Sequence, residues 1–393
     1  MRWLVWIDEA RMLKYSASII SLVCFLFLSA ACGGGEKRGE HLSGADTLSF
    51  RYAKHLQLVE GDDYSLAVIR NPWDTTRVLH TYILLPHDAE VESSHLPEGT
   101  VVRVPLTRSV VYSSVHCSLL DELGAFSAIA GVCDLEYIRL PKIHEAYNKG
   151  FVVNLGSGMS PDVENMIELH PDALLLSPFE NSGGYGRVEQ LGIPVIECAD
   201  YMETSPLGRA EWMRFYGRLF GRAAEADSLF FRVEKSYRLW AGKVAGKSKR
   251  PTLLCDLPMA TSAWYVPGGN STIGKLYADA GVDYLFASDE HSGSVPLSFE
   301  TVLNRAQHAD FWLIRYNEKT DKTYRSLQAE YELCTRFRAF SERRMYGCNT
   351  GTTPFYEEVP FHPDRLLCNI IRICHPELAG ESDSLYYYIS LRE

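Results

Sequence analysis

The sequence predicts an α/β protein: two α/β lobes with mostly parallel sheets, joined by a long rigid helix and preceded by a small N-terminal β elaboration. Three observations predict it. Short apolar runs of strand length alternate with short helical stretches in two separate regions, 100–204 and 249–393. A long helical stretch lies between them. The two regions also echo each other in residue order.

The chain of 393 residues is long enough for two lobes. Its formal net charge of -11 argues against a nucleic-acid partner, because phosphate binding needs clustered Lys and Arg. Residues 1–32 read as a signal peptide. Ser16 to Ala31 is apolar and too short for a comfortable membrane span, but it has the length of a signal h-region. It closes in Leu28-Ser29-Ala30-Ala31-Cys32, which resembles the bacterial lipoprotein processing box, with Leu28 one position further out than the commonest form. The resemblance implies acylation of Cys32 and a protein held at the cell envelope, facing the periplasm or the exterior, without spanning the membrane. An ordinary cleaved signal is the alternative. Asp8 and Glu9 fit a positive n-region poorly, so translation reads better from Met12 with Lys14 as the charge.

Residues 33–47 are glycine-rich and charged and read as a flexible tether. In the β-rich extension, 48–99, Leu56-Val59, Tyr64-Ile69 and Val78-Leu85 are strand-like, with Gly61-Asp62-Asp63 and Asn71-Pro72 as turns. The first lobe, 100–204, carries strand-like runs at 101–105, 109–113, 128–133, 151–155, 173–177 and 194–198. Runs such as Ala173-Leu174-Leu175-Leu176 fit strands covered on both faces. Linking helices follow over 205–248, where Phe230, Val233, Tyr237 and Trp240 form an apolar stripe at helical spacing. The second lobe, 249–393, resumes with strands at 252–255, 263–266 and 311–314 and helices at 272–280 and 298–306. Residues 346–363 read as a polar loop with aromatic ends that edges the cleft, with surface decoration as the alternative.

The echo is specific. Glu164 opens a helix that ends before Pro171-Asp172 and the strand at 173, and Glu300 opens a helix that ends before Ala309-Asp310 and the strand at 311. Beyond Cys24 and Cys32 there are eight cysteines. An exported chain permits disulfides among them, and Cys117, Cys133, Cys198 and Cys255 read equally well as buried thiols. With no CxxC, a zinc ribbon is excluded.

On residues 163–172 with their L-x-P-D turn, the Leu191-Gly192-Ile193-Pro194-Val195 corner, Trp264 through Ser271, Leu297-Ser298-Phe299-Glu300 and His375-Pro376-Glu377-Leu378, the chain resembles the periplasmic binding proteins for iron-siderophore, haem and cobalamin. The likeness covers about residues 100–380. It implies a monomeric solute-binding component of an ABC importer, which captures a metal-chelate small molecule between its lobes and delivers it to the permease. It also implies that Glu164 and Glu300 dock to that permease, although a first-turn glutamate stabilises a helix dipole in any protein.

The ligand belongs in the cleft, on loops at the C-terminal ends of the strands. Those loops offer Ser114, His116, Tyr137, Tyr185 and Tyr201 from the first lobe, and the resemblance implies that Trp264 and Tyr265 of the second face the same gap. This set is aromatic and nearly uncharged, which suits the face of a macrocycle or catecholate. It implies no cofactor of the protein's own and no bare metal site, which would need several converging His and carboxylates. His116 and His291 are the candidates for axial ligation of a bound metal. No GxSxG, Walker A or HExxH occurs, so the chain is not read as an enzyme. The competing readings are a metal-inserting, chelatase-like enzyme, which needs an ionisable cluster in the cleft, and a haem scavenger that serves no importer.

Overall fold

The computed structural model describes residues 46–180, 184–259, 263–378 and 384–393. The signal segment, Met12, Cys32 and the tether up to residue 45 lie outside the described residues, as do Asn181, Ser182 and Gly183. No helix among the described residues is long and apolar enough to cross a membrane.

Five strands make the N-terminal sheet, in sequential order: β1 (Asp46–Leu48), β2 (Leu56–Glu60), β3 (Ser65–Arg70), β4 (Val78–Pro86) and β5 (Thr100–Val104). β1 to β4 run antiparallel, and β5 joins β4 in parallel. The strand expected to open the first lobe therefore closes this sheet instead. Residues 87–99 supply the crossover that a parallel return requires, and an apolar run by itself does not specify its partner.

The first lobe is a parallel sheet of β6 (Ser109–Val111), β7 (Ile129–Val132), β8 (Val153–Asn154), β11 (Ala173–Leu176) and β12 (Val195–Glu197), in the order β12-β11-β6-β7-β8. A small antiparallel ribbon, β9 (Gly156–Ser157) with β10 (Ser160–Pro161), sits beyond β8. Strand alternation sends Val110 and Leu174 to one apolar layer with Met166 and Leu169, and Val111 and Leu175 to the other. Both faces are covered, which is why these strands are apolar throughout.

The second lobe pairs β15 (Asp283–Tyr284), β13 (Thr252–Cys255), β17 (Phe311–Tyr316), β18 (Met345–Asn349) and β19 (Ile389–Ser390), all parallel except β19. β14 (Ala263–Pro267) and β16 (Ser294–Ser298) stand apart as an antiparallel ribbon. The stretch expected as a polar loop from residue 346 begins instead with β18, inside the sheet. Gly347 and Asn349 disguise it in sequence, yet both are buried.

The internal echo has a structural counterpart. Asp172 Oδ2 accepts hydrogen bonds from Thr107 N, Thr107 Oγ1 and Arg108 N, tying the start of β11 to the start of β6. Asp310 Oδ2 accepts from Thr252 N and Oγ1, tying β17 to β13 in the same way.

Between the lobes, the helices Pro206–Glu211 and Met213–Leu219 lead into a helix of 22 residues, Ala223–Val244. At 1.5 Å per residue it is about 33 Å long. Ala226, Leu229, Phe230, Val233, Tyr237 and Val244 form its buried stripe. It packs on Met213–Leu219 and on the second-lobe helix Pro363–Cys374. Trp240, at the end of the predicted stripe, is half-buried and carries Lys243 Nζ at 3.7 Å and the Arg372 guanidinium at 5.0 Å from its ring.

The N-terminal sheet is locked to this linker by two buried carboxylates. Glu211 accepts from the backbone N–H groups of Arg51, Tyr52 and Ala53 at 2.7–3.0 Å. Glu203 accepts from those of Lys54 and His55 at 2.9–3.0 Å and from Trp212 Nε1 at 3.0 Å. Tyr82, fully buried, reaches from β4 to the edge strand β12: its hydroxyl donates to Val195 O and accepts from Glu197 N, both at 2.9 Å. That closes an edge otherwise open to pairing.

All eight cysteines in the described residues are free and buried, so disulfides contribute nothing to holding these parts together. We predict that Glu211→Ala, which strands the three N–H donors of residues 51–53, lowers unfolding stability by about 3 kcal/mol. The urea midpoint measures it, and an unchanged midpoint would show that the carboxylate does not anchor the sheet.

Candidate ligand-binding site

The C-terminal edge of the first-lobe sheet carries a cavity of about 340 Å³. Tyr112 follows β6, Met159 sits in the β9–β10 turn, Phe179 follows β11, and Tyr185 and Arg187 precede β12; all five line the cavity. Its wall is aromatic with one cation. Gly158 lines it too, and its backbone N–H donates to Asp134 Oδ2 at 3.1 Å. A Cβ at Gly158 would stand 2.8 Å from that oxygen, so a larger residue would have to displace the Asp134 carboxylate.

Tyr185 is fixed by two glutamates. Its hydroxyl donates to Glu197 Oε1 at 2.9 Å and its backbone N–H to Glu189 Oε1 at 2.7 Å. Burial, and next the charge of Glu197, push its phenol above the ordinary range, so it stays neutral and donating. The Tyr112 hydroxyl is buried without an oxygen or nitrogen partner. Burial is also the main reason its phenol is raised, with the Cys133 thiol beside it as the next cause.

Of the seven residues expected to touch ligand, only Tyr185 lines this cavity. Tyr137 is 69% exposed, on the turn after β7. Tyr201 is half-buried and donates to Pro178 O, bracing the loop after β11. Ser114 starts the helix Ser114–Glu122 and is half-buried, and Tyr265 is 44% exposed on β14.

Two expected contacts turn inward. Trp264 is fully buried, donates from Nε1 to Cys255 O at 3.0 Å and stacks 5.7 Å from Trp312. Neighbours on a strand face opposite ways, so Trp264 packs the core while Tyr265 faces out. His116 is also buried. Its Nε2 lies 3.0 Å from Asp200 Oδ1 and 3.1 Å from Tyr216 OH, so it serves a polar core and not the cleft. His291 is exposed and bonded to Asp289. Among the described residues no group of three or more His, Cys, Asp or Glu is arranged to hold a metal ion.

The docking candidates occupy matching positions. Glu164 is the second residue of the helix Val163–Leu169, whose N-cap Asp162 accepts from Asn165 N. Glu300 is the second residue of Phe299–Ala306, whose N-cap Ser298 accepts from Thr301 N. Both glutamates are exposed. Glu164 pairs with the cavity residue Arg187 at 3.5 Å, an exposed contact of little energetic weight.

Elsewhere the lobes touch directly. Helix Ser114–Glu122 packs on Phe355–Glu358, and His362 Nε2 lies 2.6 Å from Glu122 Oε2. The cavity residues Tyr112, Met159 and Arg187 escaped the sequence reading. The usable signal was position: Tyr112 is the first residue beyond a strand, and Gly156-Ser157-Gly158 marks a tight ribbon at the same sheet edge.

The polar core around His116 sets a pH prediction. Burial alone would raise the Asp200 carboxyl, but His116, Arg209 and Tyr216 outweigh it and hold it at about 2, below its ordinary 3.8. Burial alone would lower His116, yet Cys198 and Asp200 reverse the sign and lift it to about 10 from 6.5. Asp200 therefore contributes stability above pH 3.8 that fades as pH falls through about 2, and His116 contributes below pH 6.5 and fades as pH rises through about 10. We predict that Asp200→Asn costs about 3 kcal/mol near pH 6 and flattens the alkaline decline. Urea unfolding across pH checks it, and a variant keeping the wild-type alkaline slope would refute the linkage.

With this geometry established, known proteins can be compared. Residues 110–350 match the periplasmic binding protein family. An uncharacterised lipoprotein of Methanocaldococcus jannaschii is 27% identical over 297 residues, covering 70% of this chain and 67% of its own length. A second lipoprotein of that organism is 25% identical over 351 residues, covering 87% and 86%. Among solved structures, the TroA-like periplasmic binding protein FepB from Veillonella parvula superposes with a TM-score of 0.56 at 16% identity, covering 74% of this chain and 96% of that one. A periplasmic haem-binding protein from Pseudomonas aeruginosa gives 0.55 at 16% identity, covering 73% and 99%. S. aureus IsdE complexed with haem gives 0.53 at 20% identity, covering 68% and 99%. At these identities the structural likeness is one of fold.

Proposed function

This chain belongs to the periplasmic binding protein family, and from that premise we propose that it captures an iron-siderophore, haem or cobalamin-type chelate between its lobes and delivers it to an ABC importer permease. One observation carries the reading. Each lobe presents an exposed glutamate, Glu164 or Glu300, at the second position of a side-chain-capped helix, and a ring-lined cavity opens at the same sheet edge as the first of them. One charge per lobe gives a permease a register for both halves at once, which serves steering and orientation more than affinity.

The cavity wall supports a flat, partly apolar ligand. Tyr112, Phe179 and Tyr185 offer ring faces and edges, Met159 an adaptable thioether, and Arg187 a cation for a carboxylate or a phenolate oxygen. Tyr265, exposed on the second lobe, and Tyr137, exposed on the first, complete the proposed contacts as rim residues. Acylated Cys32 tethers the protein at the envelope, a reading supported by two relatives named as lipoproteins.

Incubation with a panel of haem, a ferric siderophore and cobalamin, followed by absorbance and mass spectrometry, tests the ligand class; retention of none of the three would reject it. We predict that Tyr185→Ala weakens the retained ligand by about 1–3 kcal/mol, the scale of a lost aromatic contact. Equal affinity by titration would remove Tyr185 from the site. Glu164→Ala combined with Glu300→Ala is expected to spare binding and impair uptake into cells or proteoliposomes. Normal uptake with both carboxylates gone would overturn the docking role.

A further inference from the structure

A second cavity, of about 770 Å³, lies away from the candidate ligand edge. Pro251, Asp310 and Arg344 in its lining each immediately precede a strand of the second-lobe sheet, so it opens at the N-terminal edge of that sheet. Its other walls are the residues following the long helix, Gly246 to Lys249, and the end of Pro363–Cys374.

The lining is cationic in a chain of net charge -11. Lys247, Lys249, Arg344 and Arg372 face two carboxylates, Asp310 and Glu377. Both carboxylates are already engaged. Asp310 accepts from Thr252 through one oxygen and from Arg338 NH2 at 2.6 Å through the other. Glu377 is paired with Lys247.

The cations come from three separate elements, and the two arginines rest on aromatic rings. The Arg372 guanidinium sits over Trp240 and donates to Ser384 O at 2.9 Å, and the Arg344 guanidinium lies 5.9 Å from the Phe311 ring and pairs with Glu342 at 3.3 Å. Lys249 has no ion-pair partner among the described residues. Phe311 and Tyr346 add apolar wall.

We propose that this cavity is a second binding site, taking a phosphoryl group of a small organic phosphate or of a lipid headgroup. Two guanidiniums flanking two ammoniums match the several acceptor oxygens of such an anion, since guanidinium forks bind phosphate through paired N–H donors while ammonium acts as a point charge. A carboxylate ligand would use fewer of these donors. Binding here weakens as salt rises, because the site is open to solvent and its charges are screened.

The test uses the mature chain from Gly33 onward, so that neither an acyl chain nor the apolar segment Ser16–Ala31 contributes to membrane binding. Inorganic pyrophosphate is titrated calorimetrically at two salt concentrations, and flotation is measured with vesicles of neutral lipid alone or with anionic phospholipid. Lys249→Gln and Arg344→Gln, both at exposed positions, are expected to weaken the interaction about tenfold each, the scale of a charged hydrogen bond. Pyrophosphate binding lost in the variants, without flotation, supports a soluble phosphate. Flotation on anionic vesicles lost in the variants supports a headgroup. If neither probe separates wild type from the variants at equal melting temperature, the site is refuted. The chelate-binding reading stands or falls separately, on the ligand panel.

Discussion

Three acids that a water-soluble chain would ordinarily leave outside are buried within twelve residues at the entrance to the linker, and the molecule's parts are organised around them. Asp200, Glu203 and Glu211 are each 1–2% exposed. Asp200 holds His116 at the start of the first-lobe helix, Glu203 and Glu211 hold the backbone of residues 51–55, and Glu203 O accepts from Thr272 Oγ1 of the second lobe at 2.8 Å. Burying a carboxylate is costly unless its lone pairs are satisfied, and here each is met by several donors. The result is directional. An apolar contact tolerates sliding, whereas a carboxylate spanning three successive N–H groups fixes one register.

That arrangement gives the N-terminal sheet a structural role. The family match begins at residue 110, so β1 to β5 lie outside it. They are nevertheless bound to its most constrained part: Arg218 pairs with Glu60, the Tyr52 hydroxyl donates to Glu234, and Tyr82 bridges to β12. The sheet braces the linker on which the geometry of the cleft depends. The two lobes in turn share the aspartate-to-threonine device at Asp172 and Asp310, which ties the N-terminal ends of neighbouring strands in the same way.

The two cavities lie at opposite kinds of sheet end, one at the C-terminal edge of the first-lobe sheet and one at the N-terminal edge of the second. One end is ringed by tyrosine, phenylalanine and methionine around a single arginine. The other gathers lysines and arginines around Asp310, which anchors two strands, and Glu377, which pairs with Lys247. Long-range charge therefore favours different chemistry at each, within one acidic molecule.

Period was legible in the sequence. Apolar runs of strand length, the helical stripe from Phe230 to Trp240 and the paired Glu-to-Asp segments are local patterns, and they determined the two lobes, the long helix and the matched positions of Glu164 and Glu300. Partnership was decided only by the tertiary structure. Trp264 and Tyr265 are adjacent and chemically alike, and which of them enters the core depends on how the β14–β16 ribbon sits. Likewise Thr100–Val104 reads as a strand in any sheet, and its neighbour lies across a long loop. Glu203 and Glu211 carry no local sign of burial, because the donors that satisfy them lie about 150 residues away in sequence. A side chain's intrinsic polarity is written in its own position, but the atoms that offset its desolvation are supplied by the fold.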